Sequence, residues 1–267
     1  MPARPQRSKA AAPDWNGEAY DRLADPQARW GRVVLDRLEL HGAETVLDAG
    51  CGSGRVTEAL IERLPAGRVL ALDASPSMLR EARRRLAASS GQVRFVQRDL
   101  LELRPAALGK DAPVDAVIST ATFHWVTDHD RLFANLAGIL RPGGQLVAQC
   151  GAKRNIETVI AALAVLGMAR QGTWLYAGPD ETAERLERAG FTDVQVWTNL
   201  EPTPFPSDVA LADFLETVCL REHLATIPLA DRRDLVERVV AAMPAPVIDY
   251  VRLNIVARRD ETGAPMH

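Results

Sequence analysis

The chain has 267 residues, a formal net charge of −3 and a pI near 6.0, with 47% hydrophobic and 25% charged residues. That length and apolar content hold one large α/β domain with an insertion or two small ones, and the mild acidity argues against a nucleic-acid partner held by bulk electrostatics. Cys51, Cys150 and Cys219 are far apart and form no Cys-x-x-Cys pair, which argues against a disulfide framework and a zinc site. No apolar run is long enough to span a membrane, and the basic start lacks the apolar segment of a secretory signal, so the cytoplasm is the expected compartment.

Residues 1–13, rich in Arg, Ala and Pro, read as a disordered tail. Asp14 to Leu40 is helical in outline, with Val33, Val34, Leu35 and Leu38 forming an apolar face. Trp15 and Tyr20 allow two readings, a lid over a ligand or a satellite aromatic cluster. Thr45-Val46-Leu47-Asp48-Ala49 then reads as a buried strand that breaks into Gly50-Cys51-Gly52-Ser53-Gly54, and Val56, Leu60, Ile61 and Leu64 turn the pattern helical. Strand, glycine loop and helix form the first half of a nucleotide-binding βαβ unit. The loop does not suit a dinucleotide: the third glycine of G-x-G-x-x-G would fall on Arg55, and Asp48 would repel a pyrophosphate while favouring an ammonium or sulfonium.

Arg68 to Asp73 is a second buried strand ending in an acid, about 20 residues beyond the glycine loop, where such folds place a ribose-binding carboxylate. The competing role for Asp73 is a helix cap, since Ala74-Ser75-Pro76 opens a helix through Met78, Leu79, Ala82 and Leu86; Met78 is placed to touch an adenine edge. A third strand, Val93 to Asp99, ends where Asp99 and the Leu100 N–H could read an adenine, with a solvated loop as the alternative. Val114 to Ser119 is a fourth strand. The following Phe123-His124-Trp125-Val126 lies at the expected switch-point crevice, so His124 is the candidate to orient an acceptor or take a proton and Trp125 the candidate wall. Helix 130–140, an Arg141-Pro142-Gly143-Gly144 turn and strand 145–150 come next.

Residues 152–176 break the rhythm with one helix and a loop carrying Trp174 and Tyr176, the place for a substrate cap. A helix from Gly178 to Gly190 and a strand at Val194–Trp197 follow. Pro202, Pro204 and Pro206 read as a stiff loop, then helices start at Asp208 and Asp231, and a last strand runs from Val247 to Ala257.

With Asp48-Ala49-Gly50-Cys51-Gly52-Ser53-Gly54, Asp73-Ala74-Ser75, Asp99-Leu100, Phe123-His124-Trp125-Val126, Arg141-Pro142-Gly143-Gly144 and Asp249-Tyr250-Val251-Arg252-Leu253, the chain resembles the class I S-adenosylmethionine (SAM) methyltransferases, and within them the trans-aconitate methyltransferase branch, over residues 14–258. The resemblance implies a Rossmann-like α/β fold whose seven-stranded, mostly parallel sheet has an antiparallel last strand. It implies an N-terminal helical lid at 14–40, cap elements at 152–180 and 200–245, and a tail at 259–267. Cofactor contacts are expected at Tyr20, Asp48, Gly50, Gly52, Asp73, Ala74, Met78, Asp99, Leu100 and Ser119, with no metal. The acceptor, a small molecule, is expected against Trp15, His124, Trp125, Trp174 and Tyr176. A carboxylate acceptor would want a cation, for which Arg154, Arg170, Arg221 and His223 are available. Transfer to carbon or nitrogen, and SAM binding without catalysis, stay open alongside O-methylation, as do monomer and homodimer.

Overall fold

Val46 and Leu47 are both fully buried yet point to opposite faces of one strand, so helices must cover the sheet on both sides. A computed structural model describes residues 25–168 and 174–262 and shows this arrangement. Strands β1 (Thr45–Ala49), β2 (Arg68–Asp73), β3 (Val93–Gln97), β4 (Val114–Thr120), β5 (Leu140–Gly151), β6 (Phe191–Pro204) and β7 (Val247–Arg259) form one sheet in the order β3-β2-β1-β4-β5-β7-β6. The first five run parallel, and β7 is antiparallel to both β5 and β6.

On one face, Val46, Val69, Ala71, Ala116, Ile118 and Val147 pack under α1 (Asp25–Leu35), α2 (Arg55–Glu62) and α3 (Pro76–Arg85). On the other, Leu47, Leu70, Leu72, Val117, Leu146 and Ile255 meet α4 (Pro105–Leu108), α5 (His129–Ile139) and, farther along, α7 (Pro179–Arg188). Each such Leu or Ile contributes about 1.5–3 kcal/mol through burial. A third apolar cluster lies at the other end of α1. Trp30 joins α6 (Glu157–Val165), α8 (Asp208–Phe214), α10 (Leu229–Ala241) and the β7 residues Ile248 and Tyr250. Between α8 and the short α9 (Arg221–Leu224), the expected continuous helix is interrupted by one π-type turn, Leu215–Cys219. Among the described residues no helix is long and apolar enough to cross a membrane.

Two expectations are corrected here. Pro202 and Pro204 do not form a loop but sit inside β6, facing Asp249 and Val247 of β7. They are tolerated because β6 is an edge strand, where the face turned away from β7 needs no N–H. The Arg141–Gly144 turn is absorbed into β5 as a bulge between the Val114↔Leu140 and Ala116↔Gln145 pairings.

After β1 the chain feeds β2 and β3 on one side, while β4 and β5 lie on the other. The carboxyl ends of β1 and β4 therefore flank the crevice where neighbouring connections diverge.

Candidate active site

The glycine loop is fixed from both sides of the crevice. Gly50 and Cys51 donate backbone N–H bonds to Leu72 O at 2.8 and 2.9 Å, tying the loop to the end of β2. Gly50 has φ +84, and a Cβ there would lie 2.2 Å from Thr122 Oγ1, so only glycine lets the β4 loop come this close. Gly52, with φ +54, faces open space: no atom lies within 4 Å of the position a Cβ would take. Within the glycine loop it offers bare main chain onto which a ligand can settle.

Asp73 closes the rim. Its two oxygens accept from Gly52 N–H at 2.9 Å and Ser75 N–H at 2.8 Å. The helix cap is Ser75, whose hydroxyl accepts from Met78 N–H at 3.2 Å, so Asp73 is left to the crevice. Burial raises its pKa, opposed by the N–H groups of Ser75, Gly52 and Ala74. Ala74 is half-buried beside it, and Met78 is buried in the first turn of α3.

Asp48 is fully buried beneath the loop. Thr57 of α2 donates its hydroxyl to Oδ2 at 2.6 Å, while Oδ1 has no partner among the described residues. Desolvation holds this carboxyl up at about 7, the Thr57 bond works against that, and Asp73 adds to it. An orphaned buried carboxylate oxygen, an open Gly52 and an acid at the tip of β2 suit a cofactor that carries both an ammonium and a ribose.

Asp99 is exposed and caps a short turn by accepting from Leu101 N–H at 2.8 Å, with Leu100 buried behind it. The Ser119 side chain turns to the neighbouring strand. Its hydroxyl donates to Ala49 O at 2.6 Å and the residue is buried, so it ties β4 to β1 in place of facing the crevice. Trp15 and Tyr20 lie outside the described residues.

Next to this cradle, a small cavity opens over the ends of β4, β5 and β7. Its walls include Trp30, His124, Asn155, Tyr176, Tyr250 and Arg252, along with Trp125 and Trp174. The β4 loop is drawn into place by Phe123, which is buried edge-on against Phe133 with ring centroids 6.1 Å apart. Phe123 O accepts from His129 Nε2 at 3.0 Å. His124 then stands in the cavity wall, within 5.0 Å of the Trp125 ring and 5.7 Å of Tyr176. Trp174 and Tyr176, on their loop, are half-buried wall, stacked at 5.8 Å and held by Leu175 N–H donating to His124 O at 2.7 Å. Ala121 (φ 54) and Ile156 (φ 52) both line the cavity in the left-handed region, so backbone strain gathers around it.

The imidazole of His124 has a defined tautomer. Gly151 N–H donates to Nδ1 at 3.3 Å, which leaves the proton on Nε2. Burial, the Arg252 charge and His129 pull its pKa well below the ordinary histidine value, so the ring is neutral. Burial also pushes the thiols of Cys150 and Cys219 up to about 12, so neither ionises at neutral pH.

Of the cations considered from sequence, Arg154 is 74% exposed and paired with Glu157 at 2.9 Å, away from the cavity wall. His223 is buried against Trp174 at 5.7 Å, and Arg170 is outside the described residues. The cation that does line the cavity is Arg252, which sequence reasoning did not nominate. Its signal was present: Arg252 and Asn254 interrupt a last strand whose other buried positions, Ile248, Tyr250, Leu253, Ile255 and Ala257, are apolar or aromatic.

The fold and the crevice suit an enzyme that binds a nucleoside cofactor. A family profile described as "Methyltransferase domain" matches residues 46–144. The trans-aconitate 2-methyltransferase of Paracidovorax citrulli (strain AAC00-1) is 32% identical over 266 residues, covering 92% of this chain and 98% of that protein. The protein of the same name from Escherichia coli O1:K1 / APEC is 28% identical over 93% of this chain and 99% of its own. Among solved structures, the YcgJ protein of Bacillus subtilis aligns with a TM-score of 0.62 at 15% identity, over 87% of this chain and 99% of that one. Phosphoethanolamine N-methyltransferase 2 of Haemonchus contortus, solved with S-adenosylhomocysteine (SAH), aligns with a TM-score of 0.59 at 18% identity, over 91% and 56%. The chain belongs to the class I SAM-dependent methyltransferases, in the trans-aconitate methyltransferase branch. It is an enzyme of that class, and SAM is its cofactor.

Proposed function

We propose that this enzyme methylates a carboxylate oxygen of a small organic acid, giving a methyl ester. The observation that carries the reading is the Gly151 N–H bond to His124 Nδ1. A general base needs an open lone pair. Here Nδ1 is taken and Nε2 bears the proton, so His124 offers the cavity a donor and not a base. An acceptor that must lose a proton, such as a phenol or alcohol, finds no base there, whereas a carboxylate is already ionised near neutral pH and needs a donor to hold it. The lining agrees in charge: it contains Arg252 and, among the described residues, no Asp or Glu. The name of the relatives, trans-aconitate 2-methyltransferase, supports the same reading and makes trans-aconitate the first acceptor to assay.

SAM, when bound, supplies a methyl group already activated on a sulfonium. The chain's own part is to position and to exclude water. Asp73 would hold the ribose hydroxyls, Gly52 would offer bare main chain, and Asp48 would face the ammonium. His124 Nε2–H would orient the reacting carboxylate, and the Trp125, Trp174 and Tyr176 rings would wall the cavity from solvent. The residues of α6, α8 and α10 would form its cap.

The test is a screen with methyl-labelled SAM against organic acids, phenols, alcohols and amines. A base-labile methyl ester from acids, which releases volatile labelled methanol on alkaline hydrolysis, is the expected product. Base-stable label transferred to phenols or amines, with none to acids, would overturn the reading.

A further inference from the structure

We propose that Arg252, with Trp30 beside it, is the specificity determinant of the acceptor site, binding a carboxylate of the acceptor other than the one that is methylated. This rests on the carboxylate reading above and goes beyond it by separating two jobs: His124 orients the reacting group, and Arg252 selects for a second one.

Three observations converge. Arg252 is 3% exposed yet lines the cavity, with its Cζ 4.3 Å from the Trp30 ring and 6.0 Å from the Tyr250 ring. Its position is set from the sheet side. Nε–H donates to Gln149 Oε1 at 3.4 Å, and Gln149 Nε2–H in turn donates to Asn254 Oδ1 at 2.8 Å. Asn254 is fully buried and also accepts from Arg37 Nη1 at 2.8 Å, so a chain of side-chain amides anchors the guanidinium. Such anchoring is what a planar donor needs to meet a planar carboxylate at low entropic cost.

The second observation is Trp30. It lines the same cavity and is 3% exposed, and its Nε1–H has no acceptor among the described residues. A buried indole N–H is normally bonded, and an acceptor oxygen from a ligand in the cavity would satisfy it. The third is register. Arg252 is the cross-strand partner of Gly151, whose N–H fixes His124. The two donors, His124 in the turn after β4 and Arg252 on β7, thus flank the end of β5 on either side, and an acid with two separated carboxyl groups can reach both.

The experiment compares discrimination. The best polycarboxylate and the best monocarboxylate from the acceptor screen are assayed with wild type, Arg252→Gln, Arg252→Lys and Trp30→Phe, and SAH affinity is measured as a check on the fold. Arg252→Gln is expected to raise KM for the polycarboxylate about 10- to 100-fold while kcat changes little, and to leave the monocarboxylate within about threefold, so the preference collapses. Trp30→Phe keeps the ring under the guanidinium and removes one donor, so a smaller rise, about 3- to 10-fold, is expected for the polycarboxylate alone. Arg252→Lys restores part of the preference. If Arg252→Gln no longer binds SAH, Trp30→Phe and Arg252→Lys decide. Equal losses for both acids, an unchanged preference, or a wild type that methylates only monocarboxylates would overturn the proposal while leaving the carboxylate reading intact. A wild type that methylates no carboxylic acid would overturn both.

Discussion

Two glycines two residues apart, Gly50 and Gly52, should respond differently to the same methyl group. At Gly50 (φ +84) a Cβ would fall 2.2 Å from Thr122 Oγ1 and 2.7 Å from Thr122 Cβ. Thr122 is not easily displaced, because its hydroxyl is bonded to Gly50 O at 3.2 Å and Thr120 O at 3.0 Å. An L-residue in the left-handed region costs about 1–2 kcal/mol, and overpacking adds about 1–3 kcal/mol. Gly50→Ala should therefore lose roughly 2–5 kcal/mol of folding stability. At Gly52 (φ +54) only the first cost applies, about 1–2 kcal/mol, because the added methyl meets no protein atom within 4 Å. Its effect should appear on the ligand: a methyl in the space the cofactor fills is expected to weaken SAH about 5- to 150-fold. Urea unfolding of the ligand-free variants and calorimetric titration with SAH separate the two. A Gly50→Ala protein within about 0.5 kcal/mol of wild type, or a Gly52→Ala protein with unchanged SAH affinity, would refute the assignment of Gly50 to the fold and Gly52 to the ligand.

Three further expectations follow from the same geometry. The Asp48 carboxyl stands at about 7 in the folded protein against about 3.9 unfolded, so the ligand-free protein should lose stability as pH rises from about 4 to about 7 and then level off. An ammonium-bearing ligand favours the ionised form, so SAH affinity should fall below about pH 7, approaching tenfold per pH unit. Asp48→Asn should flatten both profiles, and an unchanged SAH profile in that variant would remove Asp48 from the cofactor. Ser119→Ala should cost about 1 kcal/mol of stability by releasing Ala49 O, with SAH affinity unchanged; a large loss of binding would return Ser119 to the cofactor site. His124→Ala should lower kcat/KM for the acid about 10- to 100-fold, while the wild-type rate shows no ionisation of histidine between about pH 6 and 9. A limb near 6.5 that disappears in the variant would make His124 a base after all.

The sequence carried most of the cofactor half, because that half is built from local signals. Strand, glycine loop and helix are contiguous at 45–64, and Asp73 follows a buried run that can only end at the sheet's edge. The acceptor half is assembled from distant segments. Trp30, His124, Asn155 and Arg252 meet because β4, β5 and β7 end together, and the pairing Gly151↔Arg252 that brings Arg252 beside His124 is a matter of cross-strand register. Arg154 looked available because exposure and ion pairing are not written in local sequence, and it proved to be partnered with Glu157. The direction of the Ser119 side chain was hidden for the same reason. A serine at a strand's carboxyl end can face the crevice or the neighbouring strand, and the Ala49 carbonyl, a neighbour only once β1 and β4 pair, decides between them. Pro202 and Pro204 suggested a loop because local propensity does not reveal that a strand will lie at the margin of its sheet.

Those prolines also bear on how the molecule behaves at high concentration. The margin formed by β6 is 14 residues long and displays Leu200 at 75% exposure and Trp197 at 37%. An uninterrupted margin of that length would invite a strand from another molecule to continue the ladder. At 202 and 204 the approaching carbonyls would meet ring carbons in place of donors, so the half of β6 nearest the acceptor cavity cannot be zipped to a neighbour. Replacing both prolines with a residue that restores the N–H would leave the pairing to β7 intact. It would also open a continuous template for intermolecular sheet growth, a hazard to weigh before any attempt to regularise this strand.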